Sequence, residues 1–341
     1  MPILAIESTC DETAAAVVVD GFDVRSNVVA TQVELHARYR GVVPEIASRA
    51  HIENILPVLH ESFATAKIAP DDLDAIAVAY RPGLIGSLLI GVTAAKSLAW
   101  ALGKPLIGVD HVQAHLYSVV LETNAHPPMP AVGLVCSGGH TALYHLQSFT
   151  EVRLIGSTLD DAVGEAYDKV AAILGLGYPG GPFIDALAAE GSPTAIKFPR
   201  TLLKRRSLDF SFSGLKTAVL YHVRGYLGRE RPAGSVTDAE RRDIAASFQA
   251  ACVDVIVEKL RRAVRETGAR SVVIGGGVSA NRGLRAAMAH FPLPVYFPPF
   301  PYCTDNAAMS AGLAHLFFQE RRFSGLDLDA VTYSALRDTR Q

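Results

Sequence analysis

Ile3-Leu-Ala-Ile-Glu-Ser-Thr-Cys-Asp-Glu-Thr-Ala-Ala-Ala-Val-Val-Val19 sets an apolar strand, a small polar turn and a second apolar strand in immediate succession. The same design returns mid-chain in Ala131-Val-Gly-Leu-Val-Cys-Ser-Gly-Gly-His-Thr-Ala-Leu-Tyr-His145. Each stretch reads as a β-hairpin whose tight turn presents backbone N–H groups and hydroxyls. Several such donors meet one anion without an intervening side chain, which suits phosphate oxygens. One copy is an ordinary hairpin; two copies in corresponding places of two halves predict a duplicated fold.

Between the hairpins, Pro44 to Ala66 and Gly83 to Leu102 are amphipathic helical stretches separated by the strand-like Leu73 to Ala79, a rhythm of sheet and covering helices. Past Asp160 the chain reads as helical to Leu174 and breaks at Gly175-Leu-Gly-Tyr-Pro-Gly-Gly-Pro182. From about Pro199 to Thr237 it is polar, basic and glycine-punctuated, which predicts an inserted surface lobe. A long helix, Asp238 to Thr267, leads into a strand, Ser271 to Ile274, and then into Gly275-Gly-Gly-Val-Ser-Ala-Asn-Arg-Gly-Leu-Arg285. There the glycines let a ligand approach the backbone, and Ser279 or Asn281 caps a helix. Neither GxGxxG nor Walker A spacing occurs, so dinucleotide and P-loop readings lose support.

The length of 341 residues predicts about two domains. With 49% hydrophobic and 19% charged residues the chain has ample material for cores, which argues against disorder. The start has no basic n-region and reaches Glu7 at once, so it reads as a first strand and not as a signal peptide. The apolar stretch Leu84 to Leu102 is interrupted by Ser87, Thr93, Lys96 and Ser97, which predicts a buried helix and no membrane association. Cys10, Cys136, Cys252 and Cys303 show no paired spacing, which fits a reducing cytoplasm. A net charge of −2 gives no global attraction to nucleic acid, so any such contact needs a local patch. Arg200, Lys204, Arg205 and Arg206, with Arg224, Arg229 and Arg231 nearby in sequence, are the candidates.

Asp110-His-Val-Gln-Ala-His115 carries two imidazoles four apart, on one face of a helix, where one ion reaches both. Pro105-Leu-Ile-Gly-Val109 reads as a buried strand, and Asp110 as the cap of the helix that follows. The helix N-terminus disfavours imidazolium and keeps the rings ready to ligate. A zincin pattern demands Glu directly after the first His, and Val112 stands there, which disfavours proteolysis. Asp305 is similarly placed, after the strand-like Pro294-Val-Tyr-Phe297 and before a helical run from Asn306 to Arg321. Two nitrogens and a carboxylate suit either zinc or iron.

In this order the motifs closely resemble those of the bacterial tRNA adenosine threonylcarbamoyltransferase family, TsaD, of the actin/hexokinase/Hsp70-like superfamily. The match runs through Glu7-Ser-Thr-Cys-Asp-Glu-Thr13, Gly41-Val-Val-Pro-Glu45, Ser48-Arg-Ala-His51, Asp110–His115, Ser137-Gly-Gly-His-Thr141, Gly164-Glu-Ala-Tyr-Asp-Lys-Val170, Tyr178-Pro-Gly-Gly-Pro182, Ser213-Gly-Leu-Lys-Thr217, Gly275–Asn281 and Cys303-Thr-Asp-Asn-Ala-Ala-Met309. The resemblance implies an α/β fold of two actin-like (ribonuclease H-like) lobes with mixed sheets, duplicated, and a cleft between them. The lobes are expected over residues 1–128 and 129–341, the second with a basic helical insertion at about 185–240. It further implies transfer of threonylcarbamoyl from threonylcarbamoyl-AMP to N6 of adenosine 37 in tRNAs reading codons that begin with A. His111, His115 and Asp305 match the family's metal ligands, one divalent ion (Fe or Zn) per subunit with no organic cofactor. Val135, Cys136, Ser137, Gly138 and Gly139 match the loop that holds the adenylate phosphate, and Asp168, Gly181, Asp185 and Asn281 match positions around its ribose and base. Cys136 stands where the family usually has Val, a swap that preserves bulk. Expected partners are tRNA, a paralogous subunit of the same fold (TsaB-like) and an ATPase subunit (TsaE-like).

Asp11 and Glu12, in the first turn, are the candidates for the general base, and Lys216 for a place near the phosphates. The competing functions are an ATP-dependent kinase on an actin-like fold, a metal-dependent peptidase, and a non-catalytic partner, which has no use for the three metal-ligating residues.

Overall fold

The computed structural model describes residues 1–39, 41–204, 206–226, 229–232, 235–334 and 336. The first hairpin opens a sheet: β1 (Pro2–Glu7), β2 (Glu12–Val19) and β3 (Asp23–Thr31). After α1 (Val33–Ala37) and α2 (Pro44–Ala66) come β4 (Ala75–Arg81), α3 (Ile85–Leu102), β5 (Leu106–Asp110) and α4 (His111–Tyr117). The second hairpin supplies β6 (Ala131–Cys136) and β7 (Thr141–Leu146), followed by β8 (Val152–Ser157), α5 (Val163–Ile173), α6 (Gly180–Ala188) and α7 (Ser213–Arg224). A short ribbon of β9 (Gly225–Tyr226) and β10 (Arg229–Glu230) precedes α8 (Asp238–Thr267), β11 (Ser271–Gly275), α9 (Arg282–Met288), β12 (Val295–Tyr296) and α10 (Ala307–Gln319).

The two large sheets repeat one topology. The first runs β3-β2-β1-β4-β5 and the second β8-β7-β6-β11-β12. In each, the hairpin is antiparallel, and the central strand pairs parallel to the fourth, which pairs parallel to the fifth. This is the duplicated α/β architecture, with two mixed five-stranded sheets flanked by helices. Among the described residues, contacts divide the chain into two compact units. One is Met1–His126, Gln147–Val152 and Phe297–Gln341; the other is Pro127–Leu146 and Arg153–Tyr296.

In the first unit the strand period of two sorts side chains by face. Leu4, Ile6, Ala15, Val17, Ile76 and Val78 join one buried cluster with Ile55, Val58 and Leu59 of α2 and Leu88, Val92 and Ala95 of α3. The intervening Ile3, Ala5, Ala14 and Ala16 are equally inaccessible, so β1 and β2 are covered on both sides and read as continuous apolar runs. Helix α10 packs against β1, β2, β4 and β5 and contacts α4. Among the described residues one helix, Ile85–Leu102, is long and apolar enough to cross a membrane, and it forms part of this core.

Helix α8 in the second unit starts at an N-cap: Thr237 Oγ1 accepts from the Glu240 amide at 3.2 Å, and the helix ends at Gly268 with φ 65°. Near its far end Lys259 is fully buried and donates to the carbonyls of Leu202, at 2.9 Å, and Ser207, at 2.7 Å. Burial and the neighbouring Arg262 charge lower its pKa to about 8. Below that pH the folded chain bears the full cost of desolvating an ammonium. Between about pH 8 and the unfolded lysine value near 10.4 the unfolded state binds more protons, so this group's contribution to stability rises with pH. Subtracting the denaturation profile of Lys259→Met from that of the parent chain is expected to leave this upward limb; a flat difference would refute the assignment.

Candidate metal centre and phosphate turn

The buried strand β5 delivers Asp110 to the start of α4, where its Oδ1 accepts from the amides of Val112 (3.1 Å) and Gln113 (3.4 Å). Its Oδ2 accepts from the Ser334 hydroxyl at 2.7 Å and lies 3.3 Å from Arg81 Nε. The cap therefore fixes the first turn of a seven-residue helix that carries both histidines on one face. Their rings meet edge to face with centroids 4.6 Å apart. Asp305 arrives on the loop before α10, a helix capped by Asn306 through the Met309 amide (3.1 Å). Asp305 Oδ1 lies 3.1 Å from His115 Nε2 and 3.6 Å from His111 Nε2. One ligand atom from each of the three residues falls within 4.8 Å of the others.

Behind this face, His111 Nδ1 lies 3.0 Å from Glu7 Oε2 and 3.2 Å from Thr9 Oγ1. A buried carboxylate on Nδ1 holds the proton there and turns the Nε2 lone pair toward Asp305, the arrangement typical of metal-bound histidine. Burial opposes the charged form of His111, but Glu7 and Asp305 outweigh it and push its pKa up to about 9. Burial and the adjacent His111 hold His115 below the ordinary imidazole value. The pocket thus draws positive charge, and its two imidazole nitrogens and one carboxylate oxygen are a donor set that fits a single divalent ion. His115 Nδ1 is buried without a partner among the described residues.

The turn between β1 and β2 lies beside this centre. His51, fully buried in α2, bridges it, with Nδ1 2.8 Å from Thr13 Oγ1 and Nε2 3.0 Å from the Cys10 carbonyl. Glu12 Oε1 accepts from Thr31 Oγ1 at 3.4 Å. Burial, then the charges of Asp305 and Asp11, drive the Glu12 carboxyl far above the usual carboxylate range. Burial and the same acids raise the Cys10 thiol, so that sulfur is no ready nucleophile.

In the second unit the β6–β7 turn closes through the Ser137 amide on the His140 carbonyl (2.8 Å) and the His140 amide on Ser137 Oγ (3.1 Å). Val135 and Cys136 are fully buried in β6, whereas Gly138 and Gly139 are exposed with open space where a Cβ would stand. Two glycines press against this turn. A Cβ on Gly276, at φ +86°, would fall 2.5 Å from the Cys136 carbonyl oxygen, and one on Gly164 would fall 2.5 Å from that of Ser137. The glycine-rich turn after β11 and the start of α5 therefore both pack against this turn. Asp168 accepts from the Gly180 amide at 2.6 Å, next to Gly181. Asp185 is held by Arg282 through its amide (3.2 Å) and Nε (2.7 Å). Asn281 caps α9 through the Leu284 amide (2.8 Å) and donates to Gln249 Oε1 (2.7 Å). Lys216 is paired with Asp161 at 3.0 Å.

Residues 23–312 match the family described as tRNA N6-adenosine threonylcarbamoyltransferase (TsaD). Enzymes of that description from Moorella thermoacetica and from Anaeromyxobacter dehalogenans strain 2CP-1 are 55% and 50% identical, each over 96% of this chain and 95% and 97% of their own lengths. This chain belongs to that family. Among solved structures, HypF from T. kodakarensis superposes with a TM-score of 0.61 at 16% identity, covering 94% of this chain and 48% of HypF, a likeness of fold alone.

The structure brings His111, His115 and Asp305 together, and around them stand residues to which the sequence assigns no ligand role. Glu7, an acid closing an apolar strand, and His51, buried on α2, carried only the signal of a charged or polar residue where the pattern is apolar. The glycine contacts yield a direct test. Gly276→Ala is expected to lose about 1–2 kcal/mol from backbone conformation alone, with more from the clash, whereas Gly138→Ala stays within about 0.5 kcal/mol of the parent. Urea denaturation of the two variants separates them, and equal stabilities would contradict the packing described.

Proposed function

We propose that this chain transfers the threonylcarbamoyl group of threonylcarbamoyl-AMP to N6 of adenosine 37 in tRNAs that read codons beginning with A, forming N6-threonylcarbamoyladenosine. The observation that carries the reading is the His111–His115–Asp305 cluster beside an acidic turn, in a chain of this family. The exocyclic amine of adenine is a poor nucleophile because its lone pair is delocalised into the ring. The substrate must therefore arrive activated and be held in place. The mixed anhydride meets that need: N6 bonds to the carbamoyl carbon, the bond from that carbon to the phosphate oxygen breaks, and AMP leaves. Glu12 or Asp11 takes the proton that N6 releases.

His111, His115 and Asp305 would hold one iron or zinc ion per subunit, with Glu7 orienting His111 from behind. Such an ion supplies Lewis-acid polarisation and compensates negative charge. Compensating Asp305 would also lower the Glu12 carboxyl toward the range of a working base. The exposed Gly138 and Gly139 offer their amides, with the Ser137 hydroxyl beside them, to the adenylate phosphate, while the Ser137 amide closes the turn on the His140 carbonyl and Val135 and Cys136 shape it from within. Asp168, Gly181, Asp185 and Asn281 surround ribose and base; Asp185 and Asn281 reach the ligand from positions already held by Arg282 and Gln249. A peptidase reading finds Val112 buried where a base is needed.

The chain works in the cytoplasm with a paralogous TsaB-like subunit and a TsaE-like ATPase. An exposed apolar stripe on the first unit supports a helical partner surface: Ile52 and Leu56 on α2, Ile85 and Leu89 on α3, with Leu56 72% exposed. Leu56→Glu is expected to abolish co-elution with the paralogous subunit while leaving the melting temperature unchanged; retained co-elution would place the partner elsewhere.

Mass spectrometry of tRNA nucleosides after incubation with threonylcarbamoyl-AMP and the partner subunits tests the reaction. The modified adenosine is expected with the parent chain and absent with Asp305→Ala, which also loses its metal by elemental analysis. Glu7→Gln is expected to weaken metal affinity by roughly 10–100-fold, and Glu12→Gln to slow transfer with metal retained. Metal-loaded parent chain yielding no modified nucleoside would sink the reading.

A further inference from the structure

The segment from Leu202 to Ser207 is gripped from below by α8. Lys259 binds the carbonyls of Leu202 and Ser207, and Arg262 Nη1 reaches those of Leu202 (3.2 Å), Lys204 (3.3 Å) and Ser207 (3.5 Å). Two cations are thus engaged with backbone oxygens, and Arg205 lies outside the described residues. Between this segment and α8 runs a groove of about 710 Å³ lined by Arg206, Glu258, Arg262 and Arg265. The three α8 residues lie one turn apart on a single helix face. Glu258 is the one carboxylate in the lining; its Oε1 lies 2.9 Å from Arg262 Nε and 3.8 Å from Arg265 Nη2. Arg206 has no ion pair or hydrogen bond among the described residues, and Arg265 is 65% exposed.

Two other arginines of this region are paired already. Arg231 binds Glu240 through both terminal nitrogens, at 2.6 and 2.9 Å, and Arg200 binds Asp254 at 3.0 Å. In the groove three guanidinium groups share the lining with one carboxylate, on a chain whose net charge is −2. Three guanidinium groups against one carboxylate leave a surplus of positive charge that attracts an anion. The planar fork of Arg matches two phosphate oxygens at once. A groove with so exposed a wall suits an extended polyanion better than an enclosed small ion.

We infer that this groove, built by Arg206, Arg262 and Arg265, is a site for the phosphodiester backbone of the tRNA substrate. The identity of the RNA rests on the function proposed above; the anion site rests on the guanidinium cluster. Arg262 is a structural clamp as well as a ligand, so the test falls on the two outer residues.

Binding of a tRNA transcript is measured across a KCl series for the parent chain, for Arg206→Glu with Arg265→Glu, and for Arg206→Gln with Arg265→Gln. The charge reversal is expected to weaken binding roughly tenfold or more, and to make the slope of log affinity against log salt shallower by about 1.5 for two lost contacts. The glutamine pair is expected to fall between, and the melting temperature to stay at the parent value. In turnover with partners the loss is expected in KM for tRNA more than in kcat. Unchanged affinity and slope would overturn the proposal, as would inorganic phosphate at about 10 mM, or an acidic polypeptide, displacing the tRNA at constant ionic strength. A parent chain that binds tRNA through Arg206 and Arg265 yet forms no modified nucleoside would uphold the groove and refute the function.

Discussion

A single carboxylate oxygen, Asp305 Oδ1, lies within 3.1 and 3.6 Å of two imidazole nitrogens that stand almost two hundred positions earlier in the chain. Everything chemical in the first unit is arranged about that convergence. Asp110 caps the helix that presents the rings, Glu7 sets the tautomer of the first ring from the end of β1, and Asn306 starts the helix beside which Asp305 sits. Imidazoles and carboxylates buried together are costly unless a positive charge joins them. The elevated His111 pKa expresses the same demand in the currency of protons. A divalent ion answers it more fully, which is why the donor set and its surroundings make one argument.

Duplication gives each unit a hairpin turn at the same place in its sheet. Each unit builds the same five-stranded order around an antiparallel hairpin. The hairpin turns then diverged in chemistry. Cys10, Asp11 and Glu12 form an acidic turn pinned by His51, suited to holding a proton. Ser137 closes the other turn through its own amide and leaves Gly138 and Gly139 exposed at the tip, braced by two glycines that approach too closely for any side chain, an arrangement suited to an anion. The fold supplies the placement, and the turn residues supply opposite charges of environment.

The basic residues of the second unit follow a similar logic of use and surplus. Cations in the interior, Lys259 and Arg262, hold the backbone of the segment between Leu202 and Ser207. Cations at its edge, Arg200, Lys216 and Arg231, are matched by acids. On one face of α8, Arg262 and Arg265 share the single carboxylate of Glu258 and line a groove with Arg206, a pattern that a count of charges along the sequence does not reveal.

Much was legible without the structure because it is local. The period of two in β1 and β2, the helix from Pro44 to Ala66, the helix from Asp238 to Thr267, the caps at Asp110 and Asn281, and the histidine pair at i and i+4 all depend on residues within a turn or two of each other. One boundary slipped by two residues: α3 begins at Ile85 and not at Gly83, because Leu84 keeps an extended backbone (φ −72°, ψ 121°). Asp305 stood out by its place between a strand-like run and a helix, and then by the family resemblance, yet only folding brings it to the histidines, through the packing of α10 on the first sheet. That Glu7 stands behind His111, that Arg282 holds Asp185, and that Arg262 and Arg265 of α8 join Arg206 were likewise invisible along the chain. Local propensity is written in neighbouring residues, whereas the meeting of distant side chains is set by which faces two elements bury against each other.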